Sequence, residues 1–383
     1  MTAPLAGVVV VSLEAAISAP FATRQLADLG ATVIKVERPE GDFARHYDSV
    51  VEGESAFFVW ANRGKQSIVL DLKNDKDLRT LRSLIAGADV FLHNLSPRAA
   101  ASLGIDADSL VAQHPSLIAA EISGYGHGGP RADDKAYDLA IQAEAGVFSV
   151  TGDAEMSKVG FSVADICAAM YALTSILAAL VRRERTGEGA AVQISMMDAL
   201  AEWVSAPLYN AVYGAGQSPR TGRRHHAIAP YGTYRLSDGS TVLIAVQSDA
   251  EWRSMAEHFM GDAALGIDER FATNAARIAN VDSLEELIRA RLAAISADEA
   301  RSGLAVGRIA NARVNDLKGV WEHEQLRARD RFVDVVTPSS TVELLRPPFD
   351  ISGWDPANAP IPALDEHDDA VVSAILERGR ADD

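Results

Sequence analysis

The stretch from Gly160 to Gly187, GFSVADICAAMYALTSILAALVRRERTG, sets one carboxylate, Asp165, at the start of a run that is apolar almost without interruption from Val163 to Val181. A carboxylate in that place can do chemistry. The positive end of a helix favours its ionised form and a rigid element orients it, so it is suited to attack a carbonyl carbon and carry an acyl group. The bland reading is a first-turn or N-cap charge, a frequent use of Asp, and position alone leaves both open. The element itself reads as a buried helix of a soluble protein. Ile166, Met170, Leu173, Ile176, Leu177 and Leu180 recur at helical spacing, and Ala168, Ala169, Ala172, Ala178 and Ala179 let neighbours approach the other side. Ala, Ser, Thr and Tyr dilute the run too much for a membrane span. Arg182, Arg183 and Arg185 suit the negative helix end, and Gly187 stops it.

Competing sites weigh less. Cys167 stands two residues beyond Asp165 among apolar neighbours, the setting of a core cysteine. His225 and His226 are adjacent, so their side chains are expected to diverge; no nearby spacing completes a metal site and no metal is expected. Glu366 and His367, in PALDEH, read as anchors of the tail. GYGHGG, Gly124 to Gly129, matches G-x-G-x-x-G after a strand-like Leu117 to Ser123. Pro130 and RADDK follow it where a helix is required, and the first turn, EAAISAP, has no glycine. NAD is therefore not expected, although Glu37 stands where a ribose-binding acid would.

The elements that must position Asp165 alternate in type. Gly7 to Leu13 reads as a strand, Phe21 to Leu29 as a helix, Ala31 to Val36 and Ser67 to Leu72 as strands, Asp75 to Ala86 as a helix and Asp89 to Leu92 as a strand. HNLSPRAAASLGI enters a short helix; Ala191 to Ser195 is a strand, and Met197 to Tyr213 a long amphipathic helix. This is an α/β pattern with a mostly parallel sheet, whose ligands bind outside the carboxyl ends of the strands. Arg38, Arg45, Lys65, Lys73 and Arg98 fall at or beyond strand ends. Each alone reads as solvated charge; together they could hold a phosphorylated ligand. A change of character after Tyr213 marks a second domain: 1–213 is the first part of a large domain, 214–312 a small one with a strand pair across Ser237-Asp238-Gly239, and 313–383 a proline-rich return and tail.

Composition limits the function classes. A chain of 383 residues, 48% hydrophobic and with mean hydropathy +0.01, has the make-up of an ordinary globular enzyme. A net charge of −17 argues against nucleic-acid or anionic-membrane partners, and the single Cys fits a reducing compartment. MTAPLAGVVVVSLEAAISAP lacks a basic leader, so a cytoplasmic location is expected.

Several blocks together carry a resemblance: GVVVVSLEAAISAPFATRQLADLGATVIKVERPEGDFAR, NRGKQSIVLDLK, GYGHGGPRADDKAYDLAIQAEAG, VADICAAMYALTSILAALVRRERTGEG and PALDEH. From about Leu5 to His367 the sequence resembles the family III CoA-transferases, a group that also contains the alpha-methylacyl-CoA racemases. The resemblance implies a Rossmann-like large domain built from both chain ends, a smaller α+β domain, and an interlaced homodimer. It implies Asp165 as the nucleophile, with acyl-CoA as substrate. Arg38, Leu72 and Asn94 fall on positions that line the CoA site in relatives. Lys135 matches a lysine placed near CoA; Ser102 replaces an expected loop arginine, for which Arg98 could substitute, and the strand-end Lys73 is a further candidate for CoA binding. Ile17 stands where formyl-CoA transferases carry glutamine, and their glycine-run loop is absent, which disfavours formyl-CoA and oxalate. The racemases carry histidine where this chain has Tyr137, which favours transfer and puts Tyr137 beside the acyl group. KAYDLAIQAEAG with RTG..H..IAPYG resembles the subgroup acting on succinyl-CoA and mesaconate, citramalate or itaconate; the cationic loop RTGRRHHAIAPYG reads either as solvated charge or as a holder of a dicarboxylate's free carboxylate, with Arg223 and His226 as the candidates. The alternatives are a 2-methylacyl-CoA racemase and a catalytically silent CoA-binding protein.

Overall fold

Short runs rich in valine and isoleucine become strands because β-branched side chains pack on both faces of a covered sheet. The computed structural model describes residues 2–214, 216–217, 219–356 and 359–381. In it β1 (Val9–Leu13), β2 (Thr32–Glu37), β3 (Lys65–Val69), β4 (Val90–His93), β5 (Ile118–Ser123) and β6 (Ala190–Ser195) pair in parallel, in the order β3-β2-β1-β4-β5-β6. The direction of winding reverses between β1 and β4. Their carboxyl ends therefore open a crevice for a ligand.

Alternation along each strand splits the core between two faces. Val10, Leu92, Ile118 and Ala120 pack with the central helix (Val163–Thr186) and the first helix (Ser18–Asp28). Val11, Ile34, Phe91 and Ala119 pack on the opposite face, with Leu81, Leu84 and Ile85 of the helix Asp75–Ala86 and with Val372 and Ile375 of the last helix, Asp369–Ala381. The central helix is long and apolar enough to cross a membrane by length and composition. Here it lies against the first helix, β5 and β6, and Ala168, Ala169 and Ala172 are fully buried in the same core as Ala19 and Ala22 of the first helix. Small side chains on both helices allow that close approach. Gly187, at φ 74°, ends the helix in the left-handed conformation glycine adopts freely.

By its contacts the chain divides into two units: Met1–Val147, Lys158–Ala206 and Arg327–Asp383 in one, Phe148–Ser157 and Pro207–Leu326 in the other. The second is wider than the 214–312 read from sequence. It has its own antiparallel sheet, β7 (Tyr231–Arg235), β8 (Thr241–Ala245) and β9 (Ala310–Arg313), and a core around Trp252, Phe259, Phe271, Leu284 and Ile288. In the first unit the returning chain adds the hairpin β10 (Phe332–Val336) and β11 (Thr341–Leu345). It then covers the edge strand β3: Val69 N–H donates to Asp365 (2.9 Å), Ser67 N–H to the Glu366 carbonyl (2.8 Å), and His367 Nδ1 lies 3.1 Å from the Ser67 carbonyl. Glu366 and His367 are thus anchors, and the edge has no free ladder there.

Two expectations need correction. The long helix from Met197 to Tyr213 is broken into Met196–Trp203 and Ser205–Tyr213. Pro207 explains it, since its ring lacks an N–H and clashes with the carbonyl four residues back, at Trp203. Arg45 and Lys65 do not face a ligand. Arg45 pairs with Glu37 (2.7 Å); Lys65 pairs with Glu14 (2.6 Å), and Lys35 reaches Asp42 (2.8 Å) and Glu14 (3.5 Å). Lys35 within β2, Lys65 at the start of β3 and Glu14 just past β1 are all buried. Burial pushes the Lys65 ammonium down to about 7 against the pull of Glu14; for Lys35 burial acts the same way, but Glu14, Asp42 and Glu37 prevail and raise it. Lys35→Met should cost about 3–5 kcal/mol, because it leaves buried carboxylates without their cation. Urea unfolding at pH 7 measures this, and an unchanged midpoint would show the network to be dispensable.

Candidate active site

Asp165 sits in the first turn of the central helix. Its cap comes from elsewhere in the chain. Ser162, at the N-cap position, makes no side-chain capping bond; Oδ1 of Asp138 instead accepts from the backbone N–H of Ala164 (2.8 Å) and of Asp165 (3.3 Å). Asp138 opens the short helix Asp138–Glu144, and its Oδ2 accepts from Gln142 Nε2 (2.7 Å). Gln142 is buried and clamps the approach to the central helix, accepting from Val159 N–H (2.9 Å) and donating to the Phe161 carbonyl (3.3 Å). Gly124 makes this possible from the end of β5, where Ala136 packs so closely that a Cβ would have no room.

Two like charges now share one helix end. Burial raises the Asp165 carboxyl, the Asp138 charge raises it further, and the Ser18 hydroxyl only partly offsets them, so it stands at about 7. Such a carboxylate is more basic than an exposed one, and half of it is ionised near neutrality. Ser18 is the first residue of the first helix, and its hydroxyl accepts from Asn94 Nδ2 (3.2 Å). Asn94, just past β4, also holds both backbone polar groups of Ala15, at 3.0 and 2.8 Å. Asn94 thus bridges the crevice between β1 and β4. Tyr47 completes the surroundings: burial first, then the charges of Asp42 and Asp165 and the neighbouring Tyr137, raise its phenol. Its ring meets Phe57 edge-on at 5.5 Å.

Sequence reasoning named Asp165, Asn94 and Tyr137 and missed Asp138, Ser18, Gln142 and Tyr47 as its neighbours. Asp138 carried one signal, an acid at a helix start, but that suggests a cap for its own helix. A second unanticipated cluster lies at the ends of β4 and β5, where buried Glu121 lies between His93 (3.3 Å) and His127 (2.8 Å). Burial opposes its charge, yet the two histidines hold Glu121 below the usual carboxylate range.

The other candidates are placed as follows. Arg38 is exposed, donates to the Gly41 carbonyl (2.9 Å) and lies over Phe43. Lys73, Arg98 and Lys135 are exposed, and Leu72 is half-buried against the second core face. Ser102 turns its hydroxyl back to the Ala99 carbonyl (2.8 Å). Ile17 is only 5% exposed, whereas Tyr137 is 70% exposed. Arg223 and His226 belong to the second unit, where both are exposed. The His225 and His226 rings do not diverge; they stack at 4.9 Å, because the chain there is a loop and not an extended strand. Cys167 is buried, with its thiol pushed up to about 12 by burial, which leaves it inert. No cluster of metal-ligating side chains occurs among the described residues.

Similarity to known proteins fits this geometry. Residues 5–368 match the profile of CoA-transferase family III. The chain is 32% identical to the succinate–glutarate CoA-transferase of Agrobacterium fabrum, over 97% of this chain and 96% of that one. It is 34% identical to the acetyl-CoA:oxalate CoA-transferase of Acetobacter aceti (95% and 93%), and 32% to the succinyl-CoA:mesaconate CoA-transferase of Haloarcula hispanica (98% and 98%). A solved CAIB/BAIF family protein from Brucella suis superposes with a TM-score of 0.86 at 34% identity, covering 98% of this chain and 100% of that one. An α/β unit on a six-stranded parallel sheet, with a carboxylate of raised pKa at the head of its central helix and a profile match along nearly the whole sequence, belongs to an enzyme of CoA-transferase family III.

Proposed function

We propose that this enzyme moves CoA from succinyl-CoA to a C5 dicarboxylic acid such as mesaconate, itaconate or citramalate, with Asp165 as nucleophile. The carrying observation is the Asp165 carboxylate itself, raised to about 7 at the head of a rigid apolar helix. Its oxygen attacks the thioester carbonyl, the C–S bond breaks, and CoA leaves as thiolate from a succinyl-aspartyl anhydride. The thiolate then attacks the aspartyl carbonyl, releasing succinate and forming an aspartyl-CoA thioester. The acceptor carboxylate displaces CoA to give a second anhydride. Attack of the thiolate on the acceptor's acyl carbon yields the new CoA ester and returns Asp165 as carboxylate. Every intermediate hydrolyses if water enters, which suits a partly buried nucleophile.

In this reading Arg38, Lys73, Arg98 and Lys135 hold the phosphates of CoA, Leu72 and Asn94 line its path, and Ile17 and Tyr137 flank the acyl group. Arg223 and His226 hold the acceptor's second carboxylate. The enzyme works in the cytoplasm as an interlaced homodimer. Relatives named for succinyl-CoA with mesaconate, and for succinate with glutarate, support the donor and the acid class. A relative named for oxalate makes a shorter acid the necessary control.

The test is mass spectrometry of new CoA esters formed from succinyl-CoA and a panel of mesaconate, itaconate, citramalate, glutarate and oxalate. A C5 ester that requires Asp165 is the expected result. An oxalyl ester alone would overturn the acid class, and α-deuterium exchange into a 2-methylacyl-CoA without any transfer would replace transferase by racemase. Arg223→Ala should raise KM for the dicarboxylate about tenfold or more, the loss of one charge-assisted bond. An unchanged KM would free Arg223 of that role.

A further inference from the structure

The loop between β1 and the first helix is gripped from two sides. On the β4 side Asn94 holds the N–H and carbonyl of Ala15. On the β2 side Asp42 Oδ1 accepts from the Ala16 N–H (3.1 Å) and the Ala44 N–H (2.9 Å). Asp42 cannot swing away: its Oδ2 takes the buried Lys35 ammonium (2.8 Å), and its own N–H donates to Glu37 Oε2 (2.8 Å). Between the grips Ala16 stands at φ 62°, a left-handed conformation that a residue with a Cβ adopts only when its surroundings impose it. Two residues on is Ser18, the hydroxyl beside the Asp165 carboxylate. Asn94 already donates to that hydroxyl, so its single proton is directed elsewhere, and Asp165 is the acceptor at hand.

We propose that Asp42 is a positioning residue for the transfer reaction: by fixing Ala16 in the left-handed conformation it sets the turn that presents Ser18 to the attacking carboxylate of Asp165. This rests on Asp165 as nucleophile. The Ser18 hydroxyl lies in the surroundings of the Asp165 carboxylate. Its proton also favours the ionised form, which opposes burial and Asp138.

The Ala16 position tests the idea without touching the ion network. Ala16→Val disfavours positive φ and should lower kcat about 10- to 100-fold, the range for a small misplacement of a reacting group. KM for acyl-CoA should stay near that of the native enzyme, and the acid limb of the rate should move to higher pH as the Ser18 bond is lost. Ala16→Gly, which accepts positive φ, should behave as the native protein. Ser18→Ala should reproduce the kcat loss and the pH shift, and the Ala16→Val/Ser18→Ala pair should be no slower than the worse single change, since both act through one group. Asp42→Ala, which removes the acceptor for the Ala16 N–H, should be slow and Asp42→Ala/Ala16→Gly faster. A normal kcat and pH profile in Ala16→Val or Ser18→Ala, or full additivity in the pair, would overturn the proposal while Asp165→Asn remains inactive. Turnover retained in Asp165→Asn would overturn it together with the nucleophile on which it rests.

Discussion

Asp165→Asn is expected to lose CoA transfer by at least about 10³-fold and yet to unfold at a higher temperature than the native protein. In the proposed mechanism the anhydride is then never made, because an amide cannot attack a thioester. The gain in stability comes from the same physics that tunes the proposed nucleophile. The carboxyl stands at about 7 in the fold, raised by burial and then by Asp138, against an ordinary 3.8. The folded state therefore holds more protons than the unfolded state between those values, and stability falls as pH rises across that window. At about 1.4 kcal/mol per tenfold change in affinity, the cost at pH 8 is a few kcal/mol, reduced by solvent screening at this partly exposed side chain. Asparagine carries no such cost. Thermal unfolding of both proteins at pH 4 and pH 8 decides the matter: the difference should be small in acid and favour the variant by several degrees at pH 8. A variant less stable at pH 8 would show that the carboxylate is not destabilising in its site, and one that still transfers CoA would show that it is not chemically used.

That tension explains why some of the site was legible in sequence and some was not. Asp165 was visible because an ionisable residue interrupts an apolar run, a contrast local to one helix. The sheet was visible for a related reason, since β-branched runs and the helices between them give the alternation directly. Gly187 was readable as a stop because only a left-handed cap needs glycine there. The cap on the central helix was not, because Asp138 acts 26 residues away from the N–H of Ala164. No spacing rule spans that separation. The strand-end cations misled for a parallel reason: Arg45 and Lys65 look like phosphate ligands in a linear reading, but Glu37 and Glu14 neutralise them once β1, β2 and β3 are side by side. The strain at Ala16 left no mark at all, since alanine is unremarkable in a sequence and becomes informative only with its φ known.

Asp138→Asn should separate the two tasks of the residue that sequence reasoning overlooked. Asparagine keeps the Oδ1 acceptor, so the bonds from Ala164 and Asp165 N–H persist and the helix stays capped. What disappears is the negative charge beside Asp165, the second contributor to its raised pKa. The Asp165 carboxyl then moves down toward its ordinary range, and the acid limb of kcat/KM, expected near pH 7 in the native enzyme from the raised carboxyl, should move to lower pH with it. The plateau rate at pH 8 should fall severalfold at the same time, because a less basic carboxylate is a weaker nucleophile. The variant would thus outperform the native enzyme in acid and lag behind it in base, a crossing of the two profiles that no loss of folded protein can produce. Asp138→Ala removes the acceptor as well. Both variants lose the Oδ2 acceptor of Gln142, so Asp138→Ala differs from Asp138→Asn by the lost cap, which should add about 1 kcal/mol of instability. If the Asp138→Asn profile overlays the native one while Asp138→Ala is destabilised, Asp138 is a cap only, and burial alone sets the reactivity of Asp165.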